Sequence, residues 1–106
     1  MSRKAVRPRT RSHEEATVES FRTNPRFAAE YLNAVLEDGE QEELMLALRR
    51  VSEAFGGVSG LAQSARLNPT TLYRTLSRKG NPEVRSLVAL LKVMGLRLAV
   101  LPIGKA

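Results

Sequence analysis

Apolar residues recur at helical spacing in successive blocks along this chain, and Asn-Pro pairs and glycines separate the blocks. After Asn24-Pro25, the residues Phe27, Tyr31, Leu32, Val35 and Leu36 share one helical face, and the pattern stops at Glu37-Asp38-Gly39. Leu44, Leu48, Val51 and Phe55 follow at i, i+4, i+7 and i+11, which predicts a second amphipathic helix from about Glu40 to Gly56-Gly57. Its early acids Glu40, Glu42 and Glu43 and its late bases Arg49 and Arg50 complement the helix dipole. Leu61 with Ala65, then Leu72 with Leu76, mark two short helices joined through Leu67, with Ala62 as the small residue where they touch. Asn68 is placed to cap the second of these, and Pro69 stands at its first position, where a missing N–H costs nothing. A third pair, Asn81-Pro82, predicts the start of a last helix with the stripe Val84, Leu87, Val88, Leu91 and Met94, closed by Gly95.

Beyond Gly95 the period changes. Leu96, Leu98 and Val100 alternate with Arg97, Ala99 and Leu101 up to Pro102, the pattern of a strand. A lone strand is not stable, so residues 96–102 either pair with the same segment of a second subunit in a two-fold homodimer or pack as an extended tail on their own domain. The first twenty residues hold little that could be buried, which predicts a disordered basic arm over 1–20 and a helical domain over 21–106. Such an arm could follow a DNA backbone or minor groove, or act as a solubilising tail.

The two short helices, within residues 58–78, have the spacing of a helix-turn-helix. With Leu72 and Leu76 turned inward, Thr70, Thr71 and Arg74 project from the opposite side of the second helix. In a major groove Arg74 would bond a guanine edge, and the threonines a thymine methyl, a base edge or a phosphate. The plainer reading is a polar helix face in a small helical protein. Charge favours the DNA reader. The chain carries 17 Lys+Arg and 11 Asp+Glu, net +6, distributed unevenly. Residues 1–12 hold five bases and no acid, residues 13–53 four bases and ten acids, and residues 54–106 eight bases and only Glu83. The basic excess lies with the reader, where it would attract phosphate. The acidic middle either meets a cationic protein or is a solvated face.

The segments YLNAVLEDGE, ALRRVSEAFGGVSGLAQSARLNPTTLYRTLSRKGNPE and VALLKVMGLRLAVLP resemble the probable addiction module antidote family, HigA-type antitoxins with a Cro/C1-type (XRE) helix-turn-helix. The resemblance runs from about Tyr31 over roughly seventy residues. It implies an all-α, compact five-helix Cro/C1-type (lambda repressor-like) DNA-binding domain, here with the short C-terminal strand. It also implies a bacterial dimer that binds a palindromic operator in its own promoter and neutralises a co-encoded RelE/ParE-superfamily toxin; the alternative is a free-standing repressor without a toxin. Carried over by position, Thr70, Thr71 and Arg74 read bases, while Ser59, Asn68 and Ser77 contact phosphates. Arg66, Tyr73, Arg78 and Lys79 join the phosphate set as basic or aromatic neighbours of the reader. Two residues depart from the pattern: Arg66 stands where the turn usually has glycine, and Val58 where many such domains place a glutamine. A left-handed backbone at Arg66 would cost about 1 kcal/mol unless the turn is reshaped.

Other chemistries are poorly provided for. The one histidine, His13, falls in the expected arm and there is no cysteine, so nucleophile–base pairs and common zinc spacings are missing. No enzyme activity, metal or cofactor is expected. Adjacent acids such as Glu14-Glu15 diverge on a helix and read as solvated charge. Absence of cysteine fits a reducing cytoplasm. The apolar stretch Leu87 to Leu101 is broken by Lys92 and Arg97, so no membrane span is expected, and no apolar segment follows the basic N-terminus as a signal peptide would require.

Overall fold

The computed structural model describes residues 12–104, and within them the chain is an all-α globule of six helices and one 3-10 turn. The helices are α1 (His13–Thr23), α2 (Pro25–Asp38), α3 (Gln41–Ser52), α4 (Gly57–Ala65), α5 (Pro69–Thr75) and α6 (Val84–Val93), with the 3-10 turn Glu53–Phe55 extending α3. The five expected helices are all present. The sixth, α1, corrects the expectation of disorder over 1–20 for its residues from His13 onward. The rest of the expected basic arm, residues 1–11, lies outside the described residues.

Helix α1 forms because both of its ends are fixed. Ser12 and Glu15 make a reciprocal capping box, with Oγ of Ser12 accepting from the Glu15 N–H at 3.0 Å and the Glu15 carboxylate accepting from the Ser12 N–H at 3.1 Å. At the other end Phe21 is fully buried, stacked on Phe27 at 5.2 Å and tilted against Tyr31 at 5.0 Å, so α1 is docked on α2 by an aromatic trio. Arg50 of α3 joins the same corner, reaching the Glu14 carboxylate while its guanidinium lies 5.9 Å from the Tyr31 ring centre. The α1 to α2 junction is Asn24-Pro25, where Oδ1 of Asn24 accepts from the Phe27 N–H at 3.2 Å.

The core gathers one face of every helix: Phe21, Met45, Leu48, Val51, Leu61, Leu76, Leu90 and Met94 are all essentially sealed from solvent. Ser52 is the buried polar residue among them, and its hydroxyl is satisfied by donating to the Arg49 carbonyl at 2.6 Å. Helix α6 ends as expected at Gly95, which takes a left-handed conformation at φ 82°. The Leu96 N–H reaches the Leu91 carbonyl at 2.7 Å and the Gly95 N–H reaches that of Lys92 at 3.0 Å, a two-bond helix stop.

Two expectations fail near the C-terminal half. Asn81-Pro82 does not open α6. The chain stays extended to Glu83 and the helix begins at Val84, because those residues carry the chain from the end of α5 across to the α6 position. The strand is also absent: no strand occurs among the described residues, and residues 96–102 have no ladder partner. Alternation of side chains favours an extended backbone, but a ladder needs a second strand, which this chain by itself does not supply. Leu98, Val100, Leu101 and Ile103 are left exposed.

Candidate nucleic-acid interface

Helices α4 and α5 meet through a turn of three residues, Arg66, Leu67 and Asn68. Val58, Leu61 and Ala62 on α4 and Leu72 on α5 are buried against each other and the core, and Leu76 follows at the end of α5. The small methyl side chain of Ala62 lets the two helices approach. Val58, where a glutamine was the comparison, serves the core and offers no polar group. Arg66 adopts φ 61°, ψ 42°, so the turn has kept its left-handed form without glycine. The Leu67 N–H bonds the Ala62 carbonyl at 2.8 Å and the Arg66 N–H that of Gln63 at 3.2 Å, so the stop of α4 repeats that of α6. Replacing Arg66 by glycine should therefore raise stability by about 1 kcal/mol, read as a higher melting midpoint. A midpoint at or below that of the parent chain would show that the turn carries no such penalty.

Helix α5 starts as its sequence dictates. Oδ1 of Asn68 accepts from the Thr71 N–H at 2.9 Å, and Pro69 is the first helical residue. With Leu72 buried, the 100° step per residue sets Thr70 and Arg74 opposite the core and leaves Thr71 on one flank and Tyr73 on the other. Thr70, Thr71 and Arg74 are exposed, and Tyr73 is half exposed. The structure thus brings these four residues together on one short helix. Asn68 spends its carbonyl on the cap, which leaves its amide N–H groups for an outside acceptor. Ser77 donates to the Arg74 carbonyl at 2.7 Å, closing the helix end, while Ser59, Arg66, Arg78 and Lys79 are exposed around it.

The loop after α5 is tied to α3. Nε2 of Gln41 donates to the Gly80 carbonyl at 3.0 Å, and Nε of Arg78 donates to the Glu42 carboxylate at 2.6 Å. A Cβ at position 80 would lie 2.0 Å from the Thr75 carbonyl oxygen, so only glycine lets the loop fold back on the end of α5. The Arg78–Glu42 pair is largely exposed, so its effect on stability is small. About two turns further along the same face of α3, the Arg49 guanidinium lies over the Tyr73 ring, 5.2 Å from its centre. Neither Glu42 nor Arg49 was among the residues the sequence assigned to this surface. Their separation of seven places them on one helical face, but only the folded placement of α3 brings that face within side-chain reach of α5 and the loop after it. On the opposite flank, Thr71 and Thr75 line a cleft with Asn81 and Glu83.

Among the described residues no group of acids and histidine is arranged to hold a metal ion, and no helix is long and apolar enough to cross a membrane. The described residues form a small all-α domain that displays a short, capped, polar helix. A family model described as probable addiction module antidote protein matches residues 16–102, and the chain belongs to that family. It is thereby the antidote, or antitoxin, component of a toxin–antitoxin pair, in a family that is generally non-enzymatic and whose counterpart is a cognate toxin. No curated protein and no solved structure matches the chain.

Proposed function

We propose that this antitoxin is of the HigA type with a Cro/C1-type helix-turn-helix. It binds double-stranded DNA through α5 to repress its own operon and neutralises a RelE/ParE-superfamily toxin by direct contact in the cytoplasm. The observation that carries the DNA reading is the outward presentation of Thr70, Thr71 and Arg74 from a helix whose other face is locked into the core. Arg74 is the base-reading cation, and Ser59, Arg66, Asn68, Tyr73, Ser77, Arg78 and Lys79 surround it as phosphate contacts. The acidic stretch 13–53 supports the toxin reading, because it would draw a cationic RNA-cleaving enzyme and cover its basic groove.

A two-fold homodimer completes the DNA reading, since it would present two α5 helices to half-sites about one helical turn apart. The exposed Leu98 and Leu101, beside an apolar groove that includes Leu36 and Leu91, support self-association at the end of the molecule built by α2, α6 and the C-terminal segment. Co-expression with the product of the neighbouring reading frame tests the function. Co-purification, rescue of growth, and binding of the chain to its own promoter fragment are expected. Promoter binding without a toxin partner would leave a free-standing repressor, and failure to bind any promoter fragment at low salt would remove the DNA reading.

A further inference from the structure

Among the described residues Arg49 and Arg50 are the half-buried arginines; the others are exposed, several of them also with no carboxylate partner. Arg22 pairs with Glu19, Arg50 with Glu14 and Arg78 with Glu42, whereas no carboxylate lies within ion-pair distance of Arg49 among the described residues. Its Nε is buried without a hydrogen-bond partner; Arg50 shares that feature but has Glu14 on its terminal nitrogen. Arg49 is thus a cation partly withdrawn from water, oriented by the Tyr73 ring and lacking an anion. With Nε enclosed, the terminal nitrogens are the donors that a ligand can reach.

Its position indicates what that ligand is. Tyr73 directly precedes Arg74 on α5, and Arg78 meets the same face of α3 through Glu42. This flank of α5 therefore holds the guanidinium groups of Arg49 and Arg78 with one carboxylate, that of Glu42, between them and already paired to Arg78, while the Thr71 flank carries the carboxylate of Glu83. A duplex seated on Thr70 and Arg74 runs a sugar-phosphate strand along each side of the helix. On the Tyr73 side that strand meets a pre-oriented guanidinium, which matches phosphate oxygens in geometry and charge.

We propose that Arg49, from outside the helix-turn-helix, is a phosphate-binding residue of the DNA interface, held in place by the Tyr73 ring. This rests on the reading of α5 as a DNA reader. Duplex binding measured by fluorescence anisotropy over a series of salt concentrations tests it, with a promoter duplex and a scrambled duplex of equal length as probes. Arg49→Gln keeps part of the aliphatic stem and a polar end and removes the charge. It should weaken binding to both duplexes by the same factor and lower the slope of log affinity against log salt by about 0.9, one phosphate contact. Arg49→Lys should restore the slope while recovering only part of the affinity. Circular dichroism and a thermal melt on each variant separate loss of contact from loss of fold. A folded Arg49→Gln with the parent's salt slope overturns the proposal and leaves the DNA reading intact. A loss confined to the promoter duplex overturns it in favour of a base contact. A parent chain that binds neither duplex overturns both readings together.

Discussion

Phe21→Ala is expected to lower the stability of the whole domain by about 3–5 kcal/mol, a large share of the 5–15 kcal/mol typical of a domain. The ring is fully buried, stacked on Phe27 and tilted against Tyr31, so its removal takes both aromatic contacts and leaves a cavity in the core. Its loss would also loosen α1, which is otherwise held by its packing against the 3-10 turn Glu53–Phe55 and by the exposed Glu14 on Arg50. A urea titration followed by helical circular dichroism should show one transition at a clearly lower midpoint. An unchanged midpoint would mean that α1 is an appendage whose docking contributes nothing to the fold.

Arg74→Ala carries the second large effect, on binding. A bidentate arginine–guanine pair discriminates by about 1–3 kcal/mol, so affinity for the promoter duplex should fall roughly 5- to 150-fold while affinity for a scrambled duplex falls far less. The side chain is exposed on the side of α5 away from Leu72, so the substitution should leave the melting midpoint nearly unchanged. Equal losses on the two duplexes would assign Arg74 to the backbone and leave base reading to Thr70 and Thr71.

The helices that could be read from sequence are those whose apolar residues repeat. Leu44, Leu48 and Val51 announce α3, and Asn24-Pro25 and Asn68-Pro69 both mark true helix starts because the asparagine caps and the proline occupies the first turn. Asn81-Pro82 has the same letters and a different outcome, since the path between α5 and α6 overrides a local preference worth a kilocalorie or so. Helix α1 was hidden because one large side chain, Phe21, anchors a segment whose other apolar residues are only Ala16 and Val18. Its legible signal was the Ser12 and Glu15 spacing of a capping box. The strand expected at 96–102 was a statement about side-chain alternation, and alternation says nothing of where the second strand would come from. At the candidate interface, the outward face of α5 follows from the burial of Leu72 and Leu76 and could be deduced. Arg49 could not, because its relation to Tyr73 exists only once the fold brings the two side chains together.

The same two-bond helix stop occurs twice in this molecule, after α4 and after α6. Gly95 occupies the left-handed position in one, and Arg66 in the other. Helix termination therefore does not call for arginine, and the chain shows at Gly95 the residue that the geometry prefers. What differs between the two places is their setting: Arg66 stands exposed at the entrance to α5, inside the basic half of the chain. If Arg66 contacts phosphate as proposed, position 66 is a local trade of stability for activity, with a less favourable backbone tolerated to retain that side chain.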